Sequence, residues 1–556
     1  MATPMPESST DPEKPSDPSR RDNRSHDLRE AVRHHRAGDL QSAEALYRTA
    51  LQADPDCIEA LHGLGVVALR LRKLDVALAY LGRAIQIAPA VGELYSAYGD
   101  AWLAAGEPEQ AASVLTRAVA LRPGRPQAHA ALGAAQTRSG RFDEAADSFR
   151  QAVTLGSDSA DVYYQLAHAL VRAGLDAQKA KAAAAAAREA IRRRPDFAEA
   201  YHVLGEALVR LGKTAEAVVS FRKAVELRPD AAAPWQGLGS ALVLCGDFDL
   251  ADRAFREALR LELDCFDAVR GLAIACAGMQ KPDEAIELYE RAVSLRPKDA
   301  AARGDLANAL EKAGRRGEAI AQYEQLLLLR PDDVDAQFHL AALTGRPAPP
   351  AAPASRVAAL FDRYAESFDQ HLIGTLGYRT PQLLFDAVNA ASPRAGARVL
   401  DLGCGTGLCG PLFRPIASKL AGVDLSAAMI AKARDAGHYD RLEVRDLLSA
   451  LNEAPAAYDL LIAADVFVYL GTLAEVHRAA FAALSPGGLF GYSVEAFDGP
   501  GPYELRPTRR YAHSAEYLTE LAEQTGFERV SMAPAPLRAE NGQDIGGFIV
   551  VLRKPA

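Results

Sequence analysis

The chain has 556 residues, too many for one hydrophobic core, so several folding units are expected. Hydrophobic and charged contents of 49% and 24% are those of an ordinary water-soluble globular protein. A net charge of −9 argues against a general nucleic-acid binder, which carries a basic balance.

The first residues, MATPMPESSTDPEKPSDPSRRDN, are rich in Pro, Ser, Asp and Arg and are expected to be disordered over 1–23. They hold no apolar stretch of the kind a secretory leader needs, and no run of eighteen apolar residues occurs anywhere, so a cytoplasmic chain without a membrane span is expected. The cysteines (Cys57, Cys245, Cys265, Cys276, Cys404 and Cys409) form no C-x-x-C pair and fit no zinc template. Reduced thiols and no metal centre are the expectation.

From residue 24 a fixed period takes over. Prolines at 55, 89 and 123, at 195 and 229, and at 297 and 331 fall 34 residues apart or at a multiple of 34, apart from one longer interval. In the same phase stand small residues such as Gly65, Gly99, Gly133, Gly205 and Gly239, and sixteen residues later large ones: Leu81, Leu115, Phe149, Phe221 and Phe255. Gly38, Gly106, Gly140, Gly174, Gly212, Gly246 and Gly314 mark turns between paired helices. The pattern resembles the tetratricopeptide repeat (TPR), with about nine units and a capping helix over 24–345. KAKAAAAAAREA in the fifth unit carries about four extra residues, expected to lengthen a helix rather than break the stack.

Such an array buries its core between neighbours and offers a concave groove, which implies a protein or peptide partner. His62, Asp100, Tyr164, His168, His202 and Glu206 are expected to face that groove. The Lys/Asn set of chaperone-tail-binding repeats does not appear. Arg70, Arg138, Arg172, Arg210 and Lys312 could form a ladder for an acidic segment, but cations near helix C-termini also complement the helix dipole.

RPAPPAAPA, residues 346–354, is too proline-rich to continue a helix and reads as a semi-rigid spacer ahead of a domain over 355–556. There strand-like and helix-like segments alternate, which predicts a parallel sheet covered by helices, ending in a hairpin with one antiparallel strand. VLDLGCGTGLCG, residues 399–410, joins an apolar strand to Gly403, Gly405 and Gly407, which let backbone N–H groups approach a ligand closely. A dinucleotide loop would carry its third glycine where Leu408 stands.

The run instead resembles motif I of the class I S-adenosylmethionine-dependent methyltransferases. FDRYAESFDQHLIGTLGYRTP, LSPGGLFGYSVE and RRYAHSAEYL extend the resemblance to bacterial members of that family that carry TPR repeats. It implies an α-solenoid followed by a Rossmann-like, seven-stranded α/β domain with S-adenosylmethionine as cofactor. The implied cofactor set is Tyr364 as part of a lid, Asp401, Gly403, Cys404, Gly405 and Gly407 in the motif, Asp424 and Leu425 at the ribose, Asp446 and Leu447 at the adenine, and Asp465 near the methionine portion. His371, Tyr378, Tyr469, Glu495, Arg510, Tyr511 and His513 are implied to border the acceptor.

Methyl transfer needs alignment and exclusion of water, and a base only when the nucleophile starts protonated. His513, Glu495 and Tyr469 are the catalytic candidates, with His513 and Glu495 as bases. The region around Asp465 is not NPPY-like and neither motif cysteine follows a proline, so a DNA-base acceptor is disfavoured. The acceptor could be a small molecule or a protein presented by the repeats. A scaffold with an inactive methyltransferase-like domain is the rival reading, against which the intact glycines and Asp401, Asp424 and Asp446 argue.

Overall fold

The computed structural model describes residues 18–174, 176–366, 368–369, 378–540 and 543–556, without the side chains of 18–25, 540 and 543. The chain forms two compact units, Met1–Leu288 and Tyr289–Ala556. Residues 1–17 of the expected tail lie outside the described residues, and the first helix, Pro18–Ala37, begins before the expected start of the array.

The first unit is a succession of antiparallel helix pairs. Gly38, Gly106, Gly140, Gly174, Gly212 and Gly246 adopt φ between +70° and +91° at the turns within pairs, a region costly for any residue with a Cβ. The sixteen-residue spacing is a packing contact. A Cβ on Gly65 would lie 2.4 Å from Leu81, one on Gly99 2.4 Å from Leu115, and one on Gly205 2.7 Å from the Phe221 ring. The extra residues of the fifth unit extend the helix Ala177–Arg193 to 17 residues, and Ala180, Ala183, Ala184, Ala187 and Ala190 keep its inner face buried.

The second unit begins with repeat helices, including Ala300–Lys312, Arg316–Leu329 and Val334–Thr344. A proline-rich connector and the helix Ala354–Tyr364 lead into the sheet. The connector is tied down: the Pro349 carbonyl accepts from the Tyr511 hydroxyl at 2.6 Å, and the Pro350 carbonyl from the Gly471 N–H at 2.8 Å. Phe338, Ala341 and Ala342 of the last repeat helix pack with Leu505 and Tyr511 in one apolar cluster.

The sheet strands are β1 (Ala397–Leu402), β2 (Ala417–Asp424), β3 (Arg441–Val444), β4 (Tyr458–Ala463), β5 (Leu484–Ala496), β6 (Tyr503–Leu505), β7 (Tyr511–His513), β8 (Glu528–Glu540) and β9 (Gln543–Arg553). They run in the order β3-β2-β1-β4-β5-β7-β6, with β9 antiparallel to β5 and β8 antiparallel to β9. The closing hairpin is as the sequence implies. The β6–β7 pair is an addition to the expected seven strands, and its three-residue strands are too short to leave a periodic signature. Alternating side chains feed two cores: Leu400, Leu402, Leu461 and Phe490 on one face, Val399, Leu460, Ile462 and Leu489 on the other. Among the described residues no helix is long and apolar enough to cross a membrane.

Candidate functional site

The parallel strands β1 to β4 end side by side, with Asp401 of β1 opposite Gly422 of β2 and Ile462 of β4. Ligands of open α/β sheets bind at these carboxyl ends. Here a cavity of about 790 Å³ opens, walled by the loop after β1, the ends of β2, β3 and β4, and the helix Ala354–Tyr364.

The motif glycines do three different jobs. All have positive φ, +67°, +53° and +93° for Gly403, Gly405 and Gly407. A side chain on Gly403 would strike Val466 Cγ2 at 2.6 Å, so this glycine allows a close crossing. Above Gly405 the nearest atom is Phe368 Cε1 at 3.9 Å, leaving an open floor in the cavity. Gly407 was expected to face the ligand. It does not line the cavity, and sits against the Tyr439 ring, where a Cβ would come within 3.1 Å.

Four carboxylates reach the wall from successive strand ends. Asp401 is buried and accepts from the Tyr439 hydroxyl at 2.7 Å; burial and the neighbouring Asp424 push its carboxyl up to about 7, against that hydrogen bond. Asp424 accepts from the Gly405 N–H at 3.0 Å and the Ser426 N–H at 2.8 Å, and burial raises its carboxyl despite those bonds. It thereby clips the glycine loop to the end of β2. Asp446 caps the helix Leu447–Asn452 through the Ser449 N–H at 3.0 Å and lines the cavity as well. Asp465 adopts φ +60°, a conformation costly outside glycine and concentrated at functional sites. Its backbone N–H donates to Ser493 Oγ at 2.8 Å, which holds that geometry. Cys404 and Cys409 also line the cavity, but burial pushes both thiols up and away from nucleophilic use.

The helix Ala354–Tyr364 covers the site. Val357, Leu360, Phe361 and Tyr364 face the cavity, and Phe361 packs edge-on against Tyr469 with ring centroids 5.6 Å apart. Asp362 latches this helix, accepting from Ser426 Oγ at 2.5 Å and the Ala428 N–H at 3.2 Å, and Asp369 accepts from Thr406 Oγ1 at 2.5 Å. Tyr378, Tyr469 and Arg510 complete the wall beside Asp465.

Of the expected residues, Tyr364, Asp401, Gly403, Cys404, Gly405, Asp424, Leu425, Asp446, Leu447, Asp465 and Tyr469 come together around the cavity. Two catalytic candidates do not. His513 is fully buried in β7, stacked on Tyr517, with Nε2 bonded to the Gly471 carbonyl at 3.0 Å. Burial lowers its imidazole to about 4, leaving a neutral core histidine with no access to an acceptor. Glu495 lies behind the wall, paired closely with Arg538 and with Arg506 at 2.9 Å, so it serves as an anion for arginines rather than as a base. Tyr511 is likewise buried, in the cluster with Phe338, and His371 lies outside the described residues.

Sequence reasoning missed Arg538, whose guanidinium donates to Asp465 at 3.0 Å. A register shift between Pro536 and Arg538 breaks the alternation of β8 and aims this arginine inward, so the strand pattern holds no sign of it. Tyr439 and Asp362 were missed too, because their contacts are to residues far away in sequence.

Comparison with known proteins agrees with this architecture. The family described as a methyltransferase domain matches residues 376–532, and tetratricopeptide repeat families match 28–91, 98–160, 198–231, 237–303 and 277–343. A probable S-adenosylmethionine-dependent methyltransferase of Mycolicibacterium smegmatis is 32% identical over 138 residues, 24% of this chain and 53% of that protein. A malonyl-(acyl-carrier protein) O-methyltransferase of Pseudescherichia vulneris is 30% identical over 179 residues, 32% of this chain and 67% of that protein. Among solved structures, a Burkholderia thailandensis 1,6-didemethyltoxoflavin-N1-methyltransferase with bound S-adenosylhomocysteine is 23% identical, covering 38% of this chain and 93% of that one, at a TM-score of 0.31. The chain spans about half the length of the first curated relatives it matches. With its repeats and its methyltransferase domain, the chain belongs to the tetratricopeptide-repeat-containing S-adenosylmethionine-dependent methyltransferases.

Proposed function

We propose that the second unit transfers a methyl group from S-adenosylmethionine, held in the cavity at the strand ends, to an acceptor that enters beside Tyr378, Tyr469 and Arg510. The observation that carries this reading is the pairing of an open glycine floor with carboxylates at consecutive strand ends. Gly405 leaves room for a ligand to lie against the backbone. Asp424 is the acceptor for the ribose hydroxyls, Asp446 and the Leu447 N–H take the adenine edge, and Asp401 faces the cationic amino-acid end. Tyr364 and Phe361 cover the ligand from the lid helix and keep water out, which a displacement at a sulfonium requires. When bound, the cofactor supplies an electrophilic methyl group. Tyr469 and Arg510 then serve to orient the acceptor, since His513 and Glu495 are sealed in the core.

The repeat array, in the same reading, recruits a protein partner through its groove, as its family membership suggests. Calorimetric titration tests the cofactor site. Asp424→Ala and Asp401→Ala should abolish S-adenosylmethionine binding, and unchanged affinity in both variants would sink the proposal. Incubating a lysate with the protein and radiolabelled donor, followed by fractionation, identifies the labelled pool. Repeating this with residues 24–281 deleted separates partner recruitment from turnover.

A further inference from the structure

On the reading that the repeats recruit a protein partner through their groove, we propose that a rim built by Arg138, Arg172 and Arg210 docks an extended acidic segment of that partner, with a carboxylate at every third residue. Each arginine is the last residue of the first helix of a repeat, in Pro126–Arg138, Ala160–Arg172 and Ala198–Arg210. These first helices pack on one another from repeat to repeat, while the second helices contact mainly first helices, so the first helices crowd the inner side of the array. The three arginines stand in a row along one edge of that inner face, and all are exposed.

Positive charge is left over on this edge. Arg138 donates to the Leu103 carbonyl of the preceding repeat at 3.0 Å, and the Arg172 guanidinium lies 5.2 Å from the centre of the Phe142 ring. Neither contact neutralises the cation. Among the described residues, no carboxylate lies within ion-pair distance of Arg138, Arg172 or Arg210. The acids in the first turns of the second helices that follow are engaged elsewhere: Asp143 with Lys179 at 2.7 Å, Glu144 with Arg141 at 3.2 Å and Glu216 with Lys213 at 2.7 Å. At the opposite ends of the first helices the acids are neutralised, since Asp161 pairs with Arg194 and Glu199 with Arg228. Glu206, one turn before Arg210, is the acid whose field reaches both Arg172 and Arg210, and burial raises its carboxyl against them. One half-buried acid does not balance three guanidinium groups.

The spacing selects the occupant. Packed helices stand roughly 8–10 Å apart, and a polyproline-type chain rises about 3.1 Å per residue with about three residues per turn. A carboxylate at every third residue therefore meets one arginine per repeat, each through a charge-assisted bond. A nucleic-acid strand carries a charge on every nucleotide and sets phosphates against Glu206, in a chain of net charge −9.

The test uses the full chain and fluorescein-labelled probes, read by polarisation at low salt. The probe repeats Glu-Pro-Pro four times. Its controls are the matching Gln-Pro-Pro repeat, a peptide with the same glutamates contiguous, and an oligouridylate of equal length. The Glu-Pro-Pro peptide should bind about tenfold or more tightly than the Gln-Pro-Pro repeat and several-fold more tightly than the other two, and should weaken as salt rises. Arg172→Gln should weaken it several-fold, and Arg138→Gln, Arg172→Gln and Arg210→Gln together should erase the preference, with lysine at all three positions recovering part of it. Equal binding of the glutamate and glutamine repeats, no peptide binding, or tighter binding of oligouridylate overturns the acidic partner. So does a preference that survives the triple glutamine variant while its Tm falls, the result if these cations serve only the helix dipoles. Retention of the same lysate proteins by parent and triple variant leaves recruitment standing and overturns the acidic partner. Tight, arginine-dependent binding of the Glu-Pro-Pro peptide by a chain that retains no lysate protein supports the rim and counts against recruitment.

Discussion

Gly405→Ala separates a ligand-binding glycine from a structural one. Alanine at φ +53° carries a left-handed penalty of roughly 1–2 kcal/mol, partly offset by the smaller entropy of its unfolded chain. No further clash is added, since the nearest atom to the new methyl is 3.9 Å away. The net stability loss should be about 1 kcal/mol, a fall in Tm of about 2–4 °C for a unit of this size. Gly403→Ala meets the same backbone strain at φ +67° and also places a methyl 2.6 Å from Val466, adding roughly 1–3 kcal/mol of overpacking. Thermal melts paired with calorimetric titration of S-adenosylhomocysteine read both quantities. Gly405→Ala should melt near the parent protein yet bind about ten- to a hundredfold more weakly, because the methyl occupies the ligand's space. Wild-type affinity in Gly405→Ala, or a greater stability loss there than in Gly403→Ala, would refute the assignment of the open floor.

Asp401, raised to about 7, holds a proton in the folded state that the unfolded chain gives up near 3.9. This group therefore makes stability fall as pH rises from about 4 to 7. A ligand ammonium beside it should draw that proton off, so S-adenosylhomocysteine binding at pH 6.5 should show a heat that depends on buffer ionisation, absent in Asp401→Asn. His513→Leu leaves the buried Gly471 carbonyl without its partner and should cost about 1–3 kcal/mol in urea unfolding, with labelling per folded molecule and its pH profile unchanged. A tenfold fall in that labelling would return His513 to the catalytic list. Phe338→Ala, which empties the cluster shared with Tyr511, should destabilise the second unit by about 3–5 kcal/mol, measured by the same unfolding.

The repeats were legible because each of their contacts recurs. A small residue and its large partner sixteen positions on appear again and again, so the phase survives local noise. The cofactor end of the site was legible for a related reason, since Gly403, Gly405, Asp424 and Asp446 are set by where strands stop. The acceptor end was not. Strands β6 and β7 are too short to announce themselves, so His513 and Glu495 were expected to border the acceptor when both are buried. Arg538 owes its place to a register shift, and Glu311 meets Arg509 across 198 positions of sequence, a pairing no local pattern encodes.

The bonds of the connector bear on how this protein can be recombined. Pro349 and Pro350 give their carbonyls to Tyr511 and Gly471, and the Ala352 N–H donates to the Tyr469 carbonyl at 2.8 Å. A chimera spliced at the proline-rich run would sever these bonds, bare the apolar patch around Leu505 and orphan Arg509 in a foreign junction. A graft made ahead of Pro282 keeps the last repeat with its sheet, so new specificities are better attached there than by exchanging the array at its most obvious break.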